Sequence, residues 1–147
     1  MFRDRSRSIL YVENDGGSFD FLTGWLAAER GDCEVVRASY EEDDAEQLLA
    51  QRRFDLVVLD DGMTDTAAVE LCRHLREWDL LTPIIIFSAA SADEATDRAA
   101  SSGATAYVNK PDLFGQMLST IDEYLPRKSA ERLRYLRGPR ARSTTIL

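Results

Sequence analysis

Short apolar runs alternate with helical spacings along the first 125 residues. Ile9-Leu10-Tyr11-Val12 has strand chemistry and runs straight into an acid. Residues 18 to 30 then read as a helix, with Leu22, Trp25 and Leu26 on one side and Gly31 as a stop. Cys33 to Ala38, around Val35-Val36, reads as a second strand. Ser39 and Glu42 have capping-box spacing and are expected to open a helix through Ala45, Leu48 and Leu49. Leu56-Val57-Val58-Leu59 is unbroken and stops at Asp60-Asp61-Gly62. Ala68, Leu71, Cys72, Leu75 and Trp78 repeat at three- and four-residue steps. Pro83-Ile84-Ile85-Ile86-Phe87 is a fourth strand ended by Ser88. Ser91 and Glu94 repeat the capping-box spacing before an alanine-rich helix that ends at Gly103. Ala106-Tyr107-Val108-Asn109 is a short fifth strand, and Phe114, Met117, Leu118, Ile121 and Leu125 form the clearest amphipathic stripe.

Five βα units in sequence predict an α/β fold: a doubly wound, five-stranded parallel sheet with helices on both faces. The third and fourth strands are apolar at every position, as strands covered on both sides must be. Sites in such sheets lie beyond the carboxyl ends of the strands. The residues that end strands here are Glu13-Asn14-Asp15, Asp60-Asp61, Ser88 and Lys110. Carboxylates forced together repel one another, so the cluster needs a cation, a proton or a lysine among the acids. Magnesium suits an oxygen-only donor set. With it in place, one acid can attack a phosphoryl group while Lys110 offsets charge on the transferring oxygens and Ser88 donates a hydrogen bond.

Composition narrows the classes. The 147 residues are 44% apolar and 30% charged, as expected for one globular domain. No eighteen-residue apolar run suggests a membrane span, and the short apolar stretch Ile9-Leu10-Tyr11-Val12 near the N-terminus is too short for a signal peptide. Cys33 and Cys72 are therefore expected to be reduced thiols in a cytoplasmic protein. The net charge of −8 hides an asymmetry. From Pro126 onward, Arg127, Lys128, Arg132, Arg134, Arg137, Arg140 and Arg142 face one acid, Glu131, so the tail is +6 and the body −14. An acidic body argues against a broad nucleic-acid surface and favours cation binding. The expected division is a domain over 1–125 and a basic extension over 126–147. In the extension, Ser129 caps a short helix to about Arg137 and Gly138-Pro139 breaks it. That extension is too short for a DNA-binding output domain.

The segments ILYVEND, FDLVVLDDGM, PIIIFSA and GATAYVNKP resemble the four signature stretches of response-regulator receiver domains, in the family order and spacing. The resemblance covers about residues 7 to 125 and implies the flavodoxin-like (βα)5 fold. It implies Asp60 as phosphoacceptor, with Lys110 binding the phosphoryl group and sharing the catalysis. It makes Ser88 and Tyr107 the switch pair, and Glu13, Asn14, Asp60 and the backbone carbonyl of Gly62 the magnesium ligands. Pro111 follows Lys110 where the family usually has a cis bond. The implied activity is signalling rather than enzymic: the domain catalyses its own phosphotransfer and dephosphorylation.

The implied donor is a sensor histidine kinase or a histidine phosphotransfer protein. The implied output is binding of a downstream protein through the face of the fourth helix, fifth strand and fifth helix, the face through which receivers also form homodimers.

Two positions depart from the family pattern. Asn14 stands where an acid usually ligates magnesium, which lowers the expected affinity, and Asp15 points to the other side of an extended chain. Met63-Thr64-Asp65-Thr66 lacks the proline and glycine that usually shape the loop after the phosphoacceptor. Asn14 raises an alternative, a receiver-like interaction module that works without phosphate. A third reading has the basic tail contacting nucleic acid. His74, between Arg73 and Arg76, reads as a surface residue, Asp61 as a solvated neighbour, and Trp25 and Trp78 as helix-end packing.

Overall fold

The computed structural model describes residues 7–13, 16–61, 66–88, 97, 100–110 and 113–127. Its elements are β1 (Arg7–Val12), α1 (Gly16–Glu29), β2 (Cys33–Ala38), α2 (Asp44–Gln51), β3 (Leu56–Asp61), α3 (Thr66–Arg76), β4 (Ile84–Ser88), β5 (Ala106–Asn109) and α4 (Leu113–Tyr124). All strand pairs are parallel and the order is β2-β1-β3-β4-β5, so β3 is central. This is the doubly wound sheet that the sequence predicts. Residues 100–102 are helical and lead to Gly103 at φ 93, the left-handed stop expected there. Most of the alanine-rich helix, with Ser91 and Glu94, lies outside the described residues, as do Asn14, Asp15, Gly62 to Asp65, Pro111 and the tail from Lys128.

The unbroken apolar strands feed two cores. Leu10, Val12, Val57, Leu59, Ile84 and Ile86 meet Ala45 of α2 and Ala68, Val69, Cys72 and Leu75 of α3. The alternate residues Ile9, Tyr11, Leu56, Val58, Ile85 and Phe87 meet Leu26 of α1 and Met117 and Ile121 of α4. A strand side chain alternates faces at every residue, so a strand covered on both sides is apolar through its middle and carries its polar residues at its ends. Trp25 packs against the second core as expected. Both cysteines are free.

Two local expectations fail. The Ser39–Glu42 capping box does not form. Helix α2 begins at Asp44, after Glu42 and Asp43 both take left-handed φ (57 and 55). The Asp44 carboxylate instead accepts from the Ser39 backbone N–H at 2.9 Å, and the Ser39 hydroxyl bonds locally to Glu41. A short polar side chain found a turn before it found a helix end. Trp78 is not packed: it is 50% exposed in the loop after α3, beside the exposed Leu80 and Leu81. The helix stops at Arg76, so the three-residue step from Leu75 to Trp78 leaves the apolar face. His74 is exposed, 3.6 Å from Glu77.

The end of the sheet where strands begin is closed by charge. Arg30 is fully buried after α1. It forks onto Asp32 at 2.8 and 2.9 Å, reaches Asp122 of α4 at 3.1 Å and donates to the Leu125 carbonyl at 2.7 Å. Arg127 donates to Asp122 at 3.4 Å and to the Glu29 carbonyl at 2.7 Å, and Arg7 donates to the Pro126 carbonyl. The guanidinium holds the Asp32 carboxyl down at about 2. Burial pushes Asp122 up, against the pull of its two arginines.

Candidate functional site

The opposite end of the sheet, where strands finish, carries the strand-ending polar residues. Alternation decides what each can touch. In β3, Leu56 and Val58 belong to the α1/α4 side, and Asp60 continues that parity. Its register partner on β4 is Phe87, on the same side. Asp60 is buried, at 4% exposure, and its carboxylate is held at both oxygens. Lys110 Nζ lies 2.5 Å from Oδ1, and the Tyr11 hydroxyl donates to Oδ2 at 2.8 Å. Lys110 follows β5 and lies over the Phe87 ring, 5.5 Å from its centre, so an aromatic face and a carboxylate position the ammonium together. The Tyr40 hydroxyl, from the loop after β2, donates to the Asp60 backbone carbonyl at 3.0 Å.

Glu13 continues the parity of Ile9 and Tyr11 just past β1, and it is 2% exposed. Burial, with the charges of Asp60 and then Glu13 added, pushes the Tyr11 phenol far above its ordinary range. The hydroxyl therefore stays protonated and acts as a donor. Ser88 ends β4 fully buried, paired in register with Asp61 and Asn109. Tyr107 belongs to the other face of β5 and packs half-buried against the first core. Its hydroxyl lies 3.4 Å from the Ser88 carbonyl oxygen, a long contact that joins the two predicted switch residues through the backbone.

Of the site residues expected from sequence, the structure joins Asp60 to Lys110 and Ser88 to Tyr107, and it buries Glu13 at the same edge. Asn14, Gly62 and the Asp61 side chain lie outside the described residues. Among the described residues, no three acids, histidines or cysteines gather into a metal-holding group. The described donors at this edge, Glu13 and Asp60, are two buried carboxylates with hard oxygen chemistry, and that set fits a magnesium ion. Sequence reasoning missed Tyr11 and Tyr40. Parity could have found Tyr11, because it stands two residues before Glu13 on the Asp60 side of a neighbouring strand. Nothing in the loop around Tyr40 signals its reach.

The arrangement matches known proteins. Residues 9–122 match the family model described as response regulator receiver domain. The response regulator protein PmrA of Pseudomonas aeruginosa is 41% identical over 105 residues, 70% of this chain and 45% of that protein. The phosphate regulon transcriptional regulatory protein PhoB of Rhizobium meliloti is 34% identical over 126 residues, 84% of this chain and 54% of that one. The chain thus spans about half the length of the relatives it matches. Among solved structures, the BeF3-activated N-terminal receiver domain of Klebsiella pneumoniae RstA superposes with a TM-score of 0.71 at 26% identity, covering 82% of this chain and all of that one. The chemotaxis response regulator CheY4 of Vibrio cholerae, at 22% identity and a TM-score of 0.69, shares the fold, with 82% and 100% covered. No described helix is long and apolar enough to cross a membrane. With its sheet order, its buried strand-end aspartate and these likenesses taken together, the chain belongs to the receiver domains of two-component response regulators.

Proposed function

We propose that Asp60 is the phosphoacceptor, charged by a phosphohistidine on a sensor histidine kinase or a histidine phosphotransfer protein in the cytoplasm. The observation that carries this reading is the buried Asp60 carboxylate at the end of the central strand, with the Lys110 ammonium 2.5 Å from Oδ1. A lone pair of an Asp60 oxygen forms the new O–P bond as the P–N bond of the donor breaks. The electron pair of that bond goes to the imidazole, which takes up a proton. Lys110 is placed to follow the developing charge onto the phosphoryl oxygens. Magnesium, held by Glu13, Asn14, Asp60 and the Gly62 carbonyl, would supply charge neutralisation at the same oxygens.

The phosphoryl group adds charge beside Ser88, and the Ser88–Tyr107 contact is the path by which the change reaches the outer edge of the sheet. That edge is β5, against which α4 packs. It is the surface offered to a downstream protein or to a second copy of the chain. Residues 1–125 make up the receiver and 126–147 its basic extension. The test is incubation with acetyl phosphate and magnesium, followed by intact mass. The wild-type chain gains one phosphoryl mass and Asp60→Asn gains none. A wild-type chain that stays unmodified at high magnesium refutes the reading.

A further inference from the structure

We propose that Tyr11 is a positioning residue that restrains Asp60: its hydroxyl stabilises the unphosphorylated carboxylate and so slows acceptance of the phosphoryl group. The inference rests on the phosphoacceptor reading above and adds a residue to it.

Both oxygens of the Asp60 carboxylate carry a donor, Lys110 on Oδ1 and Tyr11 on Oδ2. These donors differ in freedom. The Lys110 side chain is 28% exposed and sits on a flexible stem after the last strand, so it can move from the carboxylate to an incoming phosphoryl group. Tyr11 is 2% exposed and belongs to β1, which is hydrogen-bonded on both sides by β2 and β3. Its ring is locked in the second core with Val58 and Phe87. It cannot follow the phosphoryl group, so its bond stays with Asp60.

A fixed donor acts unequally on the two states of the aspartate. The free carboxylate bears a full charge on the oxygens that accept from Tyr11 and Lys110, and a hydrogen bond to a charged acceptor is roughly twice as strong as a neutral one. After transfer, that charge has moved onto the phosphoryl group, and the acyl oxygens left at Asp60 are weaker acceptors. In transfer from acetyl phosphate, an Asp60 oxygen bonds to phosphorus. The bond between phosphorus and the acetate oxygen breaks, and its electron pair leaves with acetate. Tyr11 stabilises the start of that step more than its end. In the reverse sense it stabilises the carboxylate that departs when the acyl phosphate is hydrolysed. Donation into Oδ2 also occupies a lone-pair direction that a cation would use.

The experiment compares wild type with Tyr11→Phe and Tyr11→Met, which keep bulk and remove the donor. Phosphorylation by acetyl phosphate at saturating concentration is followed by intact mass, hydrolysis of the product after removal of the donor likewise, and magnesium alone is titrated with amide proton–nitrogen spectra as readout. The expected result is phosphorylation about tenfold faster, hydrolysis about threefold slower and tighter magnesium binding, the size set by losing one hydrogen bond to a charged acceptor. A loosened fold would not move the two rates in opposite directions. If either folded variant is phosphorylated no faster than wild type, the inference falls while the phosphoacceptor reading stands. If wild type and variants alike never gain the phosphoryl mass, both fall together.

Discussion

Asp60 and Lys110 are legible as single letters because each ends a strand, and strands that end in one layer must end near one another. The 2.5 Å contact between them makes that geometry concrete. Lys110→Ala removes the cation from a buried carboxylate, and phosphorylation by acetyl phosphate is expected to slow about a hundredfold, the usual cost of deleting one preorganised charge donor. Intact-mass kinetics checks it, and a rate within threefold of wild type would remove Lys110 from the chemistry. Tyr11 was not legible in the same way. Its letter satisfies the strand pattern completely, so the apolar reading leaves nothing over to explain. What escapes is the hydroxyl at the far end of the ring, which reaches Asp60 on the next strand. Tyr40 hides for a different reason: its partner is a backbone carbonyl, which no sequence pattern displays.

At the level of elements, strands were more legible than helix starts. The three inner strands, β1, β3 and β4, arise from apolar runs, because burial on both faces leaves little freedom in what those positions hold, while the edge strands β2 and β5 mix apolar with polar positions. Helix starts are set by which of several short polar side chains captures which free N–H. At Ser39 the local turn won, and α2 began five residues later at Asp44. The ion cluster that joins α1, β2 and α4 was equally invisible, since Arg30, Asp32 and Asp122 read as three unrelated surface charges. Arg30 is nonetheless fully buried and serves two carboxylates and a carbonyl. Arg30→Ala leaves Asp32 and Asp122 without their shared cation and is expected to cost about 3–5 kcal/mol of stability. Urea unfolding measures it, and a loss below about 1 kcal/mol would show that Arg127 carries the cluster.

For the whole molecule, the same cluster sets an acid limb. Asp32 sits near 2 in the folded chain, below the roughly 3.9 of an unfolded aspartate. Its contribution is complete above pH ~4 and disappears as pH falls through about 2, amounting to about 2 kcal/mol. Asp122 has the opposite sign: burial raises it, so its part weakens as pH rises through the carboxylate range. Asp32→Asn should therefore lower stability at neutral pH and flatten the curve between pH ~4 and ~2. Thermal midpoints across that range test it, and parallel curves for the two proteins would contradict it.

The contact between Arg7 and the Pro126 carbonyl has a consequence of its own. The first described strand starts where the last described helix hands over the chain. The five-stranded unit is therefore closed on itself like a bead with one hole, and the path in lies beside the path out. Such a bead can be spliced into a surface turn of another protein without prising the host apart, or have its ends joined by a short peptide and be opened elsewhere. Each operation leaves Asp60 at the opposite pole, a full strand length away from the seam.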